Sequence, residues 1–129
     1  MILGIGVDII QNHRLSLLVN KESFLKRTFS DSEIASSRKI LNRVNYFAKR
    51  FAAKEAFAKS LGTGFKNNLN FKDVEILNDK EGKPYFLKTK KIDKLVKNRF
   101  KIKEYDLLLS ITDEKDYSIA FTILHTENV

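Results

Sequence analysis

An α+β fold, in which a small and mainly antiparallel sheet packs on one long central helix, follows from three features of the sequence. The first is a helical pattern from about Asn42 to just before Gly62, with Val44, Phe47, Phe51 and Ala58 on one side and Tyr46, Ala53, Phe57 and Leu61 close beside it. The second is the opening run Ile2-Leu3-Gly4-Ile5-Gly6-Val7-Asp8-Ile9-Ile10, apolar and β-branched as an interior strand is expected to be. The third is a pair of strand-like stretches, Asp106 to Thr112 and Tyr117 to Leu124, joined by Asp113-Glu114-Lys115-Asp116 as a β-hairpin. At 129 residues the chain fits a single domain, residues 1–129, with no repeat, low-complexity segment or linker to divide it.

In chain order, the first strand is followed by His13 to about Asn20, whose Leu15, Leu17, Leu18 and Val19 predict a short helix with Arg14 at its start. Glu22 to Arg27 continues as a second helical piece, and Ser30-Asp31-Ser32-Glu33 reads as a capping box opening a turn or two around Ile34. The long helix comes next and stops at Gly62-Thr63-Gly64, where Gly62 suits a C′ position with positive φ. Phe71 to Leu77 alternates as a half-buried strand, Asn78 to Lys83 is a turn, and Pro84 to Leu87 returns as an edge strand whose first residue needs no N–H. Thr89 to Phe100 is a basic amphipathic helix with Ile92, Leu95 and Val96 inward. The last few residues are expected to fray.

The net charge of +8 and an isoelectric point near 9.7 imply a polyanionic partner. With no cysteine and two histidines, a disulfide framework, a thiolate site and a His-built zinc site are all excluded as organising features. A glycine and an aspartate interrupt the first apolar run, and no basic segment precedes it, so no secretory signal is expected. No stretch approaches the roughly 18 apolar residues of a membrane span, and a cytoplasmic protein is the expectation. Basic residues at Arg38, Lys39, Arg43, Lys49, Arg50, Lys54 and Lys59 are interleaved with aromatic ones, which makes a basic nucleic-acid-binding module the alternative reading. Against it, Phe47 and Phe51 lie four apart and Tyr46 and Phe57 eleven apart, both helical repeats, which assigns these rings to the core.

Two carboxylates stand in apolar surroundings. Asp8 lies near the end of the first strand, where an unpaired charge costs several kcal/mol or forces protonation. Either it caps the following helix or pairs with a lysine, or it has a chemical task. Glu55 lies four residues after Phe51 and four before Lys59, which makes it one half of an ordinary i,i+4 ion pair or a second functional acid. If strand and helix pack together, Asp8 and Glu55 supply two oxygen ligands to a hard divalent cation such as Mg²⁺, with water and phosphate completing the octahedron.

Gly4-Ile5-Gly6-Val7-Asp8-Ile9 with Arg14 after it, Arg50-Phe51-Ala52-Ala53-Lys54-Glu55-Ala56-Phe57-Ala58-Lys59 and Leu61-Gly62-Thr63-Gly64 together resemble the holo-acyl-carrier-protein synthases, the small bacterial 4′-phosphopantetheinyl transferases. The later pieces Gly82-Lys83-Pro84-Tyr85 and Leu109-Ser110-Ile111 through Tyr117-Ser118-Ile119-Ala120-Phe121 extend the likeness over nearly the whole chain. The resemblance implies the fold of that family, a place in fatty acid biosynthesis, and transfer of 4′-phosphopantetheine from coenzyme A to a serine of an acyl carrier protein. It further implies Mg²⁺ on Asp8 and Glu55, and Lys59 as a phosphate ligand or as the base. Arg50, Lys54, Gly62, Gly64, Lys83, Pro84 and Thr112 are implied cofactor contacts, Arg14 a contact to the acidic carrier, and a homotrimer with shared sites the assembly. One departure stands out: where those proteins commonly read Ser-Ile-Ser-His, this chain has Ser110-Ile111-Thr112-Asp113. A Thr112 hydroxyl donates a hydrogen bond but carries no charge toward a 3′-phosphate.

Overall fold

The computed structural model describes residues 1–66 and 68–127, so part of the tail expected to fray lies outside the described residues. Its main sheet has three antiparallel strands in the order β1 (Ile2–Gln11), β5 (Tyr117–His125) and β4 (Asp106–Asp113). A smaller antiparallel pair is made by β2 (Ile76–Asn78) and β3 (Pro84–Phe86). The helices are α1 (Glu22–Thr28), α2 (Asp31–Ser37), α3 (Arg43–Leu61) and α4 (Lys90–Phe100).

The long helix α3 lies where its pattern predicts, with the Asn42 side chain accepting from the Asn45 N–H at one end and Gly62 at φ 79° at the other. It rests on the face of the sheet built by Gly4, Gly6, Asp8 and Ile10 with their β5 neighbours Leu124, Thr122, Ala120 and Ser118. The approach is as close as backbones allow. A Cβ on Gly4 would fall 1.9 Å from the Ser60 carbonyl oxygen, and one on Gly6 would fall 1.8 Å from that of Ala56. Glycine is therefore required at both positions by contact rather than by φ. Alanines at 48, 52, 53 and 56, all fully buried, keep the helix narrow enough to sit between this sheet and the elements behind it.

Three expectations need correction. β1 is an edge strand, not an interior one: only its glycine-bearing face is covered, and Ile5, Val7 and Ile9 on the other face are each more than half exposed. Residues after β1 form two 3₁₀ turns, Asn12–Leu15 and Leu18–Asn20, instead of a helix. The Asn12 side chain donates to the carbonyls of Glu114 and Lys115 and accepts from the Ser118 hydroxyl, which pins the first turn to the β4–β5 hairpin and stops helix propagation. Finally, Phe71–Asp73 is a 3₁₀ turn, and the strand begins only at Ile76. Asn70 and Asp73 cap each other across that turn, and the carbonyls of Phe71 and Val74 accept from the Lys54 ammonium instead of joining a ladder.

Candidate active site

The packing of α3 on the glycines of β1 decides what happens one strand residue further on. Asp8 follows Gly4 and Gly6 on the same face, but it has a side chain, and this side chain points along α3 with only about a sixth of it exposed. The Lys59 ammonium lies 3.0 Å from Asp8 Oδ1 and 3.0 Å from the Val7 carbonyl, and donates to both. Lys59 thus pairs across the seam with the strand, while the i,i+4 ion pair to Glu55 that its spacing suggested does not form.

Glu55, one turn before Lys59, is half-buried. Burial pushes its carboxyl above the ordinary range, the negative charge of Asp8 raises it further, and Lys59 acts in the opposite direction. The two acids predicted to act together are therefore close enough to repel each other, and a divalent cation would relieve that repulsion. Among the described residues there is no cluster of three or more metal-ligating side chains. A pair of carboxylates with the remaining positions left to water and phosphate suits Mg²⁺, which retains waters and bonds phosphate oxygens.

Arg50, one turn and a residue before Glu55, opens onto a cleft of about 360 Å³ lined by Ile40, Asn42, Asn45, Lys49, Asn78 and Asp113, among others. Its guanidinium stacks over the Tyr46 ring at 4.0 Å and donates to Asn78 Oδ1 at 2.6 Å. Burial lowers its proton affinity, which Tyr46 and Glu33 partly restore. Lys49 and Asn45 approach Asp113 at 4.0 Å and 3.5 Å, so the position where the resembling proteins carry histidine does enter this cleft, as an acid.

Thr112 does not. Strand alternation puts it opposite Ile119 on the outer face of the sheet, whereas Asp113 pairs with Ser118 on the inner one. Lys54 is a correction. It is fully buried, its ammonium 2.8 Å from Glu33 Oε1 and bonded to the carbonyls of Phe71 and Val74, so it belongs to the interior and not to a cofactor surface. Gly62 and Gly64 close the helix. Their N–H groups donate to the Lys59 and Ala58 carbonyls, which makes this segment a helix stop. Lys83 and Pro84 stand at the turn into β3, with the Lys83 N–H bound to Asp79 Oδ1. Arg14 is exposed on the 3₁₀ turn that Asn12 anchors, two residues from the Asn12 side chain's bonds to the hairpin. Sequence reading missed Asn78 and the inward role of Glu33, because an asparagine in a turn and a glutamate in a capping box each already have a local explanation.

Residues 4–122 match the family model described as the 4′-phosphopantetheinyl transferase superfamily. The chain is 56% identical over 123 residues to the holo-[acyl-carrier-protein] synthase of Pelagibacter ubique, covering 95% of this chain and 96% of that one. Among solved structures it is similar to the holo-[acyl-carrier-protein] synthase of Neisseria meningitidis, with TM-score 0.87, 36% identity and coverage of 98% and 100% of the two chains. It is also similar to the enzyme of that name from Bacillus anthracis in complex with CoA (3′,5′-ADP), with TM-score 0.81, 30% identity and coverage of 98% and 99%.

Proposed function

The chain belongs to the 4′-phosphopantetheinyl transferase superfamily and, within it, to the holo-[acyl-carrier-protein] synthases, and from that premise we propose the reaction its own residues perform. One domain spanning residues 1–129 transfers 4′-phosphopantetheine from coenzyme A to a serine of an apo acyl carrier protein, releasing adenosine 3′,5′-bisphosphate. The serine oxygen bonds to the β-phosphorus, the bond from that phosphorus to the bridging oxygen breaks, the nucleotide leaves with the electron pair, and the serine proton passes to water. The observation that supports this most is the Asp8 carboxylate held at 3.0 Å by Lys59 Nζ at the seam of β1 and α3, with the half-buried Glu55 one turn before Lys59 on the same helix.

Asp8 and Glu55 would hold Mg²⁺, whose charge would offset that of the pyrophosphate and of the departing nucleotide. Lys59 serves as the phosphate contact. Its nitrogen donates to both Asp8 and the Val7 carbonyl, which aims it at the seam where the oxygens of the transferred phosphoryl group would lie. Arg50 and the Lys83–Pro84 turn receive the anionic nucleotide portion, and Arg14 faces the acidic carrier. A nucleic-acid module is disfavoured because Phe47 and Phe57 are fully buried and unavailable for stacking. No described helix is long and apolar enough to cross a membrane.

The deciding experiment is intact-mass measurement of an apo acyl carrier protein incubated with this protein, coenzyme A and Mg²⁺. A gain of one phosphopantetheine that chelator abolishes is expected; no gain on any of several carriers would count against the assignment.

The assembly we propose is a homotrimer. The outer face of the sheet carries Ile5, Val7 and Ile9 of β1, Phe121 and Tyr117 of β5 and Leu108 of β4, each between 40% and 59% exposed. An apolar sheet face of this extent calls for a partner, and Thr112, which lies on it, would then belong to a site shared between copies. Phe121→Asp is expected to convert a trimer to monomers in light scattering and to depress transfer with it. A monomeric parent protein, or an active monomeric variant, would exclude the shared site.

A further inference from the structure

We propose that Asn78 is a positioning residue for coenzyme A, holding Arg50 and the Lys83–Pro84 turn in one arrangement; the proposal rests on the transferase reading above. Arg50 and the turn are far apart in sequence, yet a single exposed side chain joins them. Asn78 Oδ1 accepts from Arg50 Nη2 at 2.6 Å, and Asn78 Nδ2 donates to the Gly82 carbonyl at 3.0 Å. The turn beyond is closed by Asp79, whose N–H donates to the Lys83 carbonyl and whose Oδ1 accepts from the N–H groups of Glu81 and Lys83, all at 2.9 Å. Asn78 therefore ties an already ordered turn to the guanidinium.

The other side of Arg50 explains why such a tie is needed. Its plane is set by the Tyr46 ring beneath it, and the Tyr46 hydroxyl is fixed by donation to the Glu33 carbonyl at 2.7 Å. Stacking leaves rotation within the plane free. At the inner end the buried Glu33 carboxylate lies 4.0 Å from Arg50 Nε and attracts the whole group inward. A bond at the outer end opposes that pull and keeps the guanidinium fork at the cleft, where an anionic ligand meets it. Without Asn78, the fork is free to turn toward Glu33 and the turn is free of Arg50.

The test is Asn78→Ala, a substitution at an exposed residue on a two-strand edge. With coenzyme A varied, KM is expected to rise about tenfold, in line with loss of one hydrogen bond to a charged group, while kcat stays within about twofold. KM for the carrier protein and the melting temperature should not move, and calorimetric affinity for adenosine 3′,5′-bisphosphate should fall in parallel with coenzyme A. Combining Asn78→Ala with Arg50→Ala should give less than the sum of the two effects, because the first acts partly through the second. Unchanged coenzyme A and nucleotide affinity in Asn78→Ala, or a loss confined to kcat, would overturn the positioning role and leave the transferase assignment standing. Full additivity of the pair would overturn the route through Arg50. A parent protein that neither binds coenzyme A nor modifies a carrier would overturn the assignment itself, and this proposal with it.

Discussion

Glu55→Gln is expected to fold, to lose transfer activity by about 10²- to 10³-fold, as removal of a preorganised charge in a phosphoryl-transfer site does, and to melt higher than the parent when Mg²⁺ is chelated. The last effect has a definite sign. Burial and the charge of Asp8 hold the Glu55 carboxyl above its ordinary range, so its ionised form is the disfavoured one in the folded protein. Below the ordinary carboxylate range the group is protonated in folded and unfolded chains alike, and no penalty exists. The penalty grows as pH rises from the ordinary carboxylate value, where the unfolded chain ionises first, and is full above the raised folded value. Glutamine carries no such charge, so the gap in melting temperature should be widest above the raised folded value and close as pH falls toward about 4. Mg²⁺ reverses the order. A cation that binds only the folded parent stabilises it by about 2.7 kcal/mol at a hundred times its dissociation constant, and Glu55→Gln should gain little. A parent whose melting ignores Mg²⁺, or a variant that turns over at the parent rate, removes Glu55 from the metal site.

The acids were legible in the sequence because each broke a pattern: a carboxylate in an apolar strand and another on a helix too apolar to be solvated. The long helix was legible for the same reason its site is, since nineteen residues of helical periodicity end at a glycine that takes positive φ. What could not be read was contact between elements. Nothing local tells that Gly4 and Gly6 are glycines because helix carbonyls lie against them, or that the apolar outer face of β1 is left uncovered. The strand expected from Phe71 failed for a related reason: its alternation is genuine, but a buried lysine from α3 takes the carbonyls a partner strand would have used. Lys54 itself was misread for want of the same information. Within the run Lys54-Glu55 the two charges are adjacent, and a helix points adjacent residues about 100° apart, so one faces the seam with β1 and the other the interior behind.

That interior contact carries the second large effect. Lys54→Met is expected to lower the stability of the folded protein by about 3–5 kcal/mol, the cost typical of breaking a buried ion pair from one side. Both side chains are fully buried, and neither has solvent to fall back on. Glu33 accepts from Lys54 Nζ, from the Ser30 N–H at 2.9 Å and from the Ile76 N–H at 3.1 Å, while Lys54 satisfies the Phe71 and Val74 carbonyls as well. Replacing an isolated buried pair by apolar residues often costs nothing, but this pair is not isolated. The double substitution Lys54→Met with Glu33→Leu removes both charges and still strands the Ser30 and Ile76 N–H groups and the Val74 carbonyl, each worth about 1–3 kcal/mol when left unsatisfied, while the Phe71 carbonyl keeps the Val74 N–H. It should therefore recover little of the loss. Urea unfolding at one fixed protein concentration, with the slope unchanged, measures both. A Lys54→Met protein within about 1 kcal/mol of the parent, or a double variant restored to parental stability, would show that the charges are incidental to the brace. The brace matters to chemistry because of where it sits: Glu33 touches Lys54 directly and reaches Arg50 at 4.0 Å, and the next residue along α3 is Glu55. A helix loosened at Lys54 loses the rigid backing of both the cleft and the carboxylate pair, so transfer should fall with stability in these variants, in contrast to Asn78→Ala, where only kcat/KM for coenzyme A should fall, and without loss of stability.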